Sequence, residues 1–285
     1  MIRSWKWLAT AAVIAAVIPL ARSQLVPTPV PIETAPFASD SPAAPPLPSP
    51  AFSGEPQVRA SALLSALISL TEGHLFEIVH ALEQASTTEA VQSGDWSRIQ
   101  DVLSQVRSKT IDSALWYALP SGQYWTLEGE QESASLSDRN YFPRVISGQR
   151  IMGDLLVSKS TGKSVAIVAV PIMATDGSVK GVLGASVFLD RLAALVGLEI
   201  GADSSMIYYS FDSKPQLGMV WDPSLTLLDP HQISPEVGSA FDQMLRNDQG
   251  VQKYSFRGKE RTVVYRHSNV TGWWFAFGLV PGGRD

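Results

Sequence analysis

The chain has 285 residues, 45% of them hydrophobic, with 22 Lys+Arg against 27 Asp+Glu, four His and no Cys. That length and apolar content can bury a sizeable core as one large domain or two small ones, which excludes a mainly disordered chain. The mildly acidic balance, without any basic block, excludes nucleic acid as a partner, and the lack of cysteine excludes disulfides, thiol catalysis, cysteine metal sites and cysteine-linked lipid.

Residues 1–23 read as a signal peptide: a cationic start at Arg3 and Lys6, an apolar run from Leu8 to Leu20, and small residues at Ala21 and Ser23. The run is shorter than the ~20 residues that span a bilayer, so an uncleaved membrane anchor is the lesser alternative. Cleavage after Ser23 would remove Arg3, Lys6 and Arg22 and take the net charge from −5 to −8. An exported protein without disulfides depends on its core, which suits a bacterial periplasm. Residues 24–56 form a linker; ten of the 19 prolines fall between Leu25 and Pro56, giving an extended spacer rather than part of a fold.

From Gln57 the pattern becomes helical. Leu64, Leu67, Ile68, Leu75, Ile78, Val79 and Leu82 recur at three and four residues, predicting one long amphipathic helix, weakened at Gly73. A second helix is expected over Ser97–Lys109. Leu115–Leu119 and Gln123–Leu127 predict a hairpin around Pro120-Ser121-Gly122. A second hairpin is expected from Val165–Met173 and Val179–Leu189, closed at Asp176-Gly177 with positive φ at both residues. A helix from Leu189 ends this unit. A second unit repeats the scheme on a smaller scale: "SMIYYSF", a helix near Pro235–Asn247, then strands at 251–256, 261–267 and 273–280. Neither unit shows the strand-helix-strand alternation of a parallel sheet, so the fold class is α+β with antiparallel sheets flanked by helices.

Two motifs suggest chemistry and lose it on inspection. "STGKS", Ser160–Ser164, looks like the end of a phosphate-binding loop, but Val157 stands where that motif needs glycine, and a β-branched run follows where a helix N-terminus should hold the phosphate. Ser160 and Lys163 also have a Ser-x-x-Lys spacing, on a loop that enters a strand rather than on a helix. His74, Glu77 and His80 spread over about 120° of a helix, too wide for one metal ion, and read as a solvated or dimer-facing surface. No cofactor and no catalytic residue is expected. Trp116, Tyr117, Tyr124, Trp125, Arg139, Tyr141 and Phe142 together suggest an aromatic pocket with one guanidinium, suited to a small anionic ligand.

The stretch Ser135–Val196 resembles the membrane-distal module of double Cache domains, the PAS-like extracytoplasmic sensor modules of bacterial chemoreceptors and sensor kinases. The residues that carry the resemblance come in order: Asp-Arg-x-Tyr-Phe, Gly-Asp, Ser-x-x-Thr-Gly-Lys, a strand ending in Pro-Ile, Asp-Gly and Gly-Val-Leu-Gly. The closing "TGWWFAFGLVP" is similar to the last strand of the membrane-proximal module. The resemblance implies a long N-terminal helix packed on two PAS-like modules, at 57–196 and 197–285, with a small ligand bound in the distal one. It implies no enzyme, and a ligand site drawn from Trp116, Tyr124, Arg139, Tyr141, Phe142, Asp154 and Ser186, with Arg139 on a ligand carboxylate.

The departures bear on the ligand. Amino-acid-binding members of that family have a Trp after the arginine, a Tyr near the Gly-Asp strand, and an Asp that pairs with the ligand ammonium; here Tyr141 or Phe142, Leu155 and Ser186 stand there. The expectation is a small organic ligand of another kind, such as a carboxylate. Because the sequence ends at Asp285 without a second apolar span, the signal is expected to pass to a membrane receptor or kinase partner. Homodimerisation through the long helix is a further expectation. Rival readings are a periplasmic, hydrolase-like enzyme using the same cleft, and a structural or assembly protein joined through the long helix.

Overall fold

A chain that turns from proline-rich to helical needs a starting point, and Gly54 supplies it with φ of 113° ahead of Pro56 in the first turn. In the computed structural model, which describes residues 54–129, 131–280 and 282–284, helix α1 runs Glu55–Ser86. The expected signal peptide and nearly all of the linker lie outside the described residues. The helix passes through Gly73 without interruption. By length and apolar content α1 could cross a membrane, yet Leu67, Leu75, Ile78, Val79 and Leu82 are fully buried inside the fold.

Helix α2 (Glu89–Gln92) starts at Thr88, whose hydroxyl accepts from the Val91 amide, and α3 (Trp96–Arg107) starts at Asp95, whose carboxylate accepts from the Ser97 amide. Then come β1 (Ser113–Ala118), β2 (Tyr124–Thr126), α4 (Phe142–Ile146), β3 (Ile151–Val157), β4 (Ser164–Met173), β5 (Val179–Phe188) and α5 (Leu189–Glu199). The second unit holds β6 (Met206–Phe211), β7 (Leu217–Val220), a short 3-10 turn (Pro223–Leu225), α6 (Pro230–Ile233), α7 (Pro235–Leu245), β8 (Gln249–Phe256), β9 (Lys259–His267) and β10 (Trp274–Leu279).

The strands form two antiparallel five-stranded sheets, ordered β2-β1-β5-β4-β3 and β7-β6-β10-β9-β8. Counted within each unit, both orders read second, first, fifth, fourth, third. The repeat expected from the sequence is therefore a repeat of topology, and the α+β architecture of a long helix on two sheet modules is what the chain adopts.

Strand alternation sets the layers. In the first sheet, Leu115 and Tyr117 of β1 and Ala166, Val168 and Val170 of β4 face α1, α3 and α5. Trp116, Val165, Ile167 and Ala169 face the other way, onto α4 and the loops around it. Helix α1 also packs on β9 and β10, and Trp273, Phe275 and Phe277 join the same core cluster, so one helix serves both sheets. The outer face of the second sheet is covered by α7 through Phe241 and Met244.

Two local expectations need correction. Asp176 does not take positive φ; only Gly177 does, at 83°. The Gly177 amide donates to the Ala174 carbonyl and the Ser178 amide to the Asp176 carboxylate, so the loop is a three-residue turn with glycine in the left-handed position. Positive φ at both central positions occurs instead at Arg257-Gly258, between β8 and β9. Of the helix surface expected to be solvated or dimer-facing, Glu77 and His80 are exposed, but His74 is mostly buried: its Nε2 lies 2.9 Å from the Glu199 carboxylate, joining α1 to α5.

Candidate functional site

The outward face of the first sheet is where the aromatic residues meet. Trp116 on β1 and Ser186 on β5 lie one strand apart on this face, both buried. A Cβ on Gly184, opposite Trp116, would lie 2.1–2.4 Å from three carbons of the indole, so the ring rests directly on the glycine. Tyr141, just before α4, brings its ring to 6.4 Å from that of Trp116, and Tyr124 comes from β2. These four residues and Arg139 line a small, partly open pocket of about 10 Å³, with Leu136, Leu156, Ile167 and the Ser158–Ser160 loop forming the rest of its wall. That is room for about one water molecule.

The lid over the cavity is held by cations. The Lys159 ammonium donates to the Ser135 carbonyl at 2.6 Å and to the Asp138 carboxylate at 2.5 Å. The Arg139 guanidinium donates to the Val157 carbonyl at 2.8 Å. Hydrogen bonding to Lys159 holds the exposed Asp138 carboxyl below its ordinary range. Burial pushes the Tyr141 phenol well up, with Arg139 pulling it back only in part, and burial also raises Tyr124. Both phenols are neutral donors at any physiological pH. The Tyr124 hydroxyl is buried without a well-formed hydrogen bond in this closed arrangement, although Ser160 is near enough to favour its ionised form slightly.

Among the residues lining this cavity are two cations, Arg139 and Lys159, and no carboxylate. Of the residues singled out in the sequence, Trp116, Tyr124, Arg139, Tyr141 and Ser186 are brought together here. Phe142 is not: it is 2% exposed in the core beneath, with its ring 6.4 Å from that of Tyr141. Asp154 is not either; it stands on β3, ion-paired with Arg144. Leu155 points away towards the second sheet, against Gly218. Lys159 is not singled out by the sequence, and Ser160 only within motifs that fail, because both sit in the loop that leads into β4; Lys163 of that loop lies outside the pocket, over the Phe188 ring at 4.5 Å.

Beyond Arg139 and Tyr141 the surface opens into a much larger cleft of about 810 Å³ between the two modules. One wall is the 138–144 segment and β3; the other is the Asp212–Gln216 loop and the Asn269–Trp273 turn. The Trp273 indole N–H crosses from one module to the other and donates to the Gly153 carbonyl at 2.8 Å, in the bulge of β3.

Comparison of the sequence with protein-family models and with characterised proteins returns no match. Solved structures do match in fold. An extracellular ligand-binding receptor from Desulfohalobium retbaense superposes with a TM-score of 0.62 at 10% identity, over 78% of this chain and 40% of that one. The ligand-binding domain of the Pseudomonas aeruginosa amino acid chemoreceptor PctB, in complex with L-Arg, gives 0.61 at 14% identity, over 79% of this chain and 97% of that one. The sensor domain of the Vibrio cholerae histidine kinase DctB gives 0.59 at 14% identity, over 78% and 96%. The chain thus spans less than half of the Desulfohalobium receptor and nearly all of the two sensor domains. At these identities the likeness is one of fold: the chain shares the architecture of these extracellular ligand-binding and sensor domains.

Proposed function

We propose that this chain, with the fold of double Cache sensor domains, is an extracytoplasmic small-molecule sensor that binds a small organic acid in the small aromatic-walled pocket of its first module. One observation carries the reading: the pocket is walled by aromatic rings, holds two cations and the hydroxyls of two tyrosines and three serines, and has no carboxylate in its lining. A ligand carboxylate would take up the Arg139 guanidinium and the buried Tyr124 hydroxyl. An α-amino acid would bring an ammonium to a place where Ser186 offers only a hydroxyl, and an unpaired buried charge is costly. PctB, of similar fold, is bound to L-Arg; the difference in ligand class follows from the residues here.

Because the pocket has room for about one water, binding requires the Lys159 and Arg139 contacts over it to open. Ligand binding would reset the first sheet against α1, and α1 would carry the change to the second module and on to a membrane receptor or kinase. The test is the small molecule that co-purifies with the native protein, identified by mass spectrometry, followed by calorimetry. Arg139→Ala weakens binding of that molecule by about 1.5–3 kcal/mol if the arginine makes a charged hydrogen bond. Strong binding of standard amino acids, with organic acids inert, would refute the ligand class.

A further inference from the structure

We propose that the cleft between the two modules is a second binding site, which takes a small dianion carrying carboxylate or phosphoryl groups. The cleft is eighty-fold larger than the small pocket, about 810 against about 10 Å³, and falls within the ~300–1,000 Å³ common for small-molecule sites. The net charge of the whole chain is negative, yet four cations line this one cleft: Arg139, Arg144, Arg150 and Lys214.

The charges here are nearly all answered from within. Arg144 pairs with Asp154, Arg150 with Glu83 at 3.2 Å, and Asp138 with Lys159. The Asp212 carboxylate accepts from the backbone amides of Lys214 and Gln216, each at 3.0 Å. Two cations, and the Asp212 carboxylate, are left without an ionic partner among the described residues. Arg139 donates to a carbonyl, which does not neutralise it. The Lys214 ammonium has no ion-pair or hydrogen-bond partner among the described residues.

Arg139 belongs to the wall from the first module and Lys214 to the wall from the second. A ligand with two negative charges answers both, and Asn140, Asn269 and Thr271 in the same lining supply neutral hydrogen bonds. Such a ligand would tie the modules together across the gap that the Trp273–Gly153 hydrogen bond spans at one end. The site shares Arg139, Tyr141 and Leu156 with the small pocket and differs from it in Lys214 and the wall from the second module, which contribute nothing to that pocket.

The experiment uses the whole chain and three probes in low salt, where exposed charges are least screened: succinate, inorganic phosphate, and acetate as the singly charged control. Calorimetry is run on the wild type, on Lys214→Glu, and on Lys253→Glu, an equal charge change on exposed β8. Succinate or phosphate should bind, with acetate about tenfold weaker or worse, and which of the two binds identifies the acid group. Lys214→Glu should weaken that binding by about tenfold or more and Lys253→Glu by less than about twofold. Hydrogen–deuterium exchange should show protection in 138–144 and 212–216 together. The inference is overturned if neither dianion binds at millimolar concentration, if acetate binds as well as they do, if the two lysine variants behave alike, or if protection is confined to 113–126 and 182–188.

Discussion

Trp116 keeps its place because residue 184 has no side chain. The indole lies across Gly184 on the neighbouring strand, and a methyl there would overlap it. Gly184→Ala must therefore push the ring into the cavity or bend β5. Overpacking of this kind costs about 1–3 kcal/mol; urea denaturation should show that loss, with ligand affinity falling alongside, and an unchanged midpoint would mean that Trp116 has another seat. Much of this face was legible in the sequence. Period-two alternation sends Trp116 one way and Leu115 and Tyr117 the other, so an aromatic wall could be read from β1 alone. Phe142 could not be separated from Tyr141 in that way. It opens α4, where neighbours diverge by about 100° around the axis, and one of two adjacent aromatics lines the cavity while the other enters the core. Lys159 could not be found by any periodicity, because it acts from a loop whose shape depends on the Lys163 carbonyl accepting from the Ser158 amide.

At the scale of elements, long hairpins announce themselves and interrupted strands do not. β4 and β5 each run ten residues with nearly unbroken apolar character. β3 carries a bulge between Met152 and Asp154, with Gly153 at φ 103°, so its alternation breaks in the middle. β7 is four residues long and too short to show a period. The missing strands complete the sheets at their edges, which is why the architecture could be foreseen without them. Between α6 and α7 the sequence likewise gave no hint of a clamp. The His231 ring lies against Gly238, with Nδ1 2.8 Å from Asp229 and Nε2 3.3 Å from Asp242. Hydrogen bonds to Asp229 and then Asp242 raise the imidazole above its ordinary 6.5. Folding therefore favours the protonated ring: its contribution is fully present below 6.5 and is lost as pH rises through the raised value. The difference in melting temperature between wild type and His231→Gln should be widest near pH ~5–6 and close above neutrality. A difference that stays constant to high pH would assign the ring a packing role alone.

Over the whole molecule, α1 and Trp273 join the two modules. Helix α1 presents Leu67 and Thr71 to the second module and Leu75, Ile78 and Leu82 along the common core, while Ser268 bonds to Glu72 and Thr71 to Met219. Trp273→Phe replaces the fully buried indole by a smaller phenyl ring and removes the N–H that the Gly153 carbonyl accepts, so it opens a gap and loses the hydrogen bond together. The expected cost is about 1–3 kcal/mol in a single cooperative transition, because the core cluster remains continuous through Phe275 and Phe277. Two separated transitions in calorimetry would show instead that the indole hydrogen bond is what makes the modules unfold as one. The resemblance read from Ser135–Val196 described the first module, and the shared strand order extends it to the second, where the sequence markers thin out between β6 and β8.

That strand order governs how such a chain can be built. In each sheet the last strand made, β5 or β10, lies between the first and the fourth. A polypeptide emerging from its N-terminus must hold a slot open between β1 and β4, and later between β6 and β9, until the final strand arrives to fill it. Neither sheet can be complete before its own last strand is made, and contacts such as Arg266 with Ser65, 201 residues apart, need the chain as far as β9. The first sheet can close once β5 has been made at Phe188, and the second only with β10 at Leu279, so the two modules are completed one after the other along the chain.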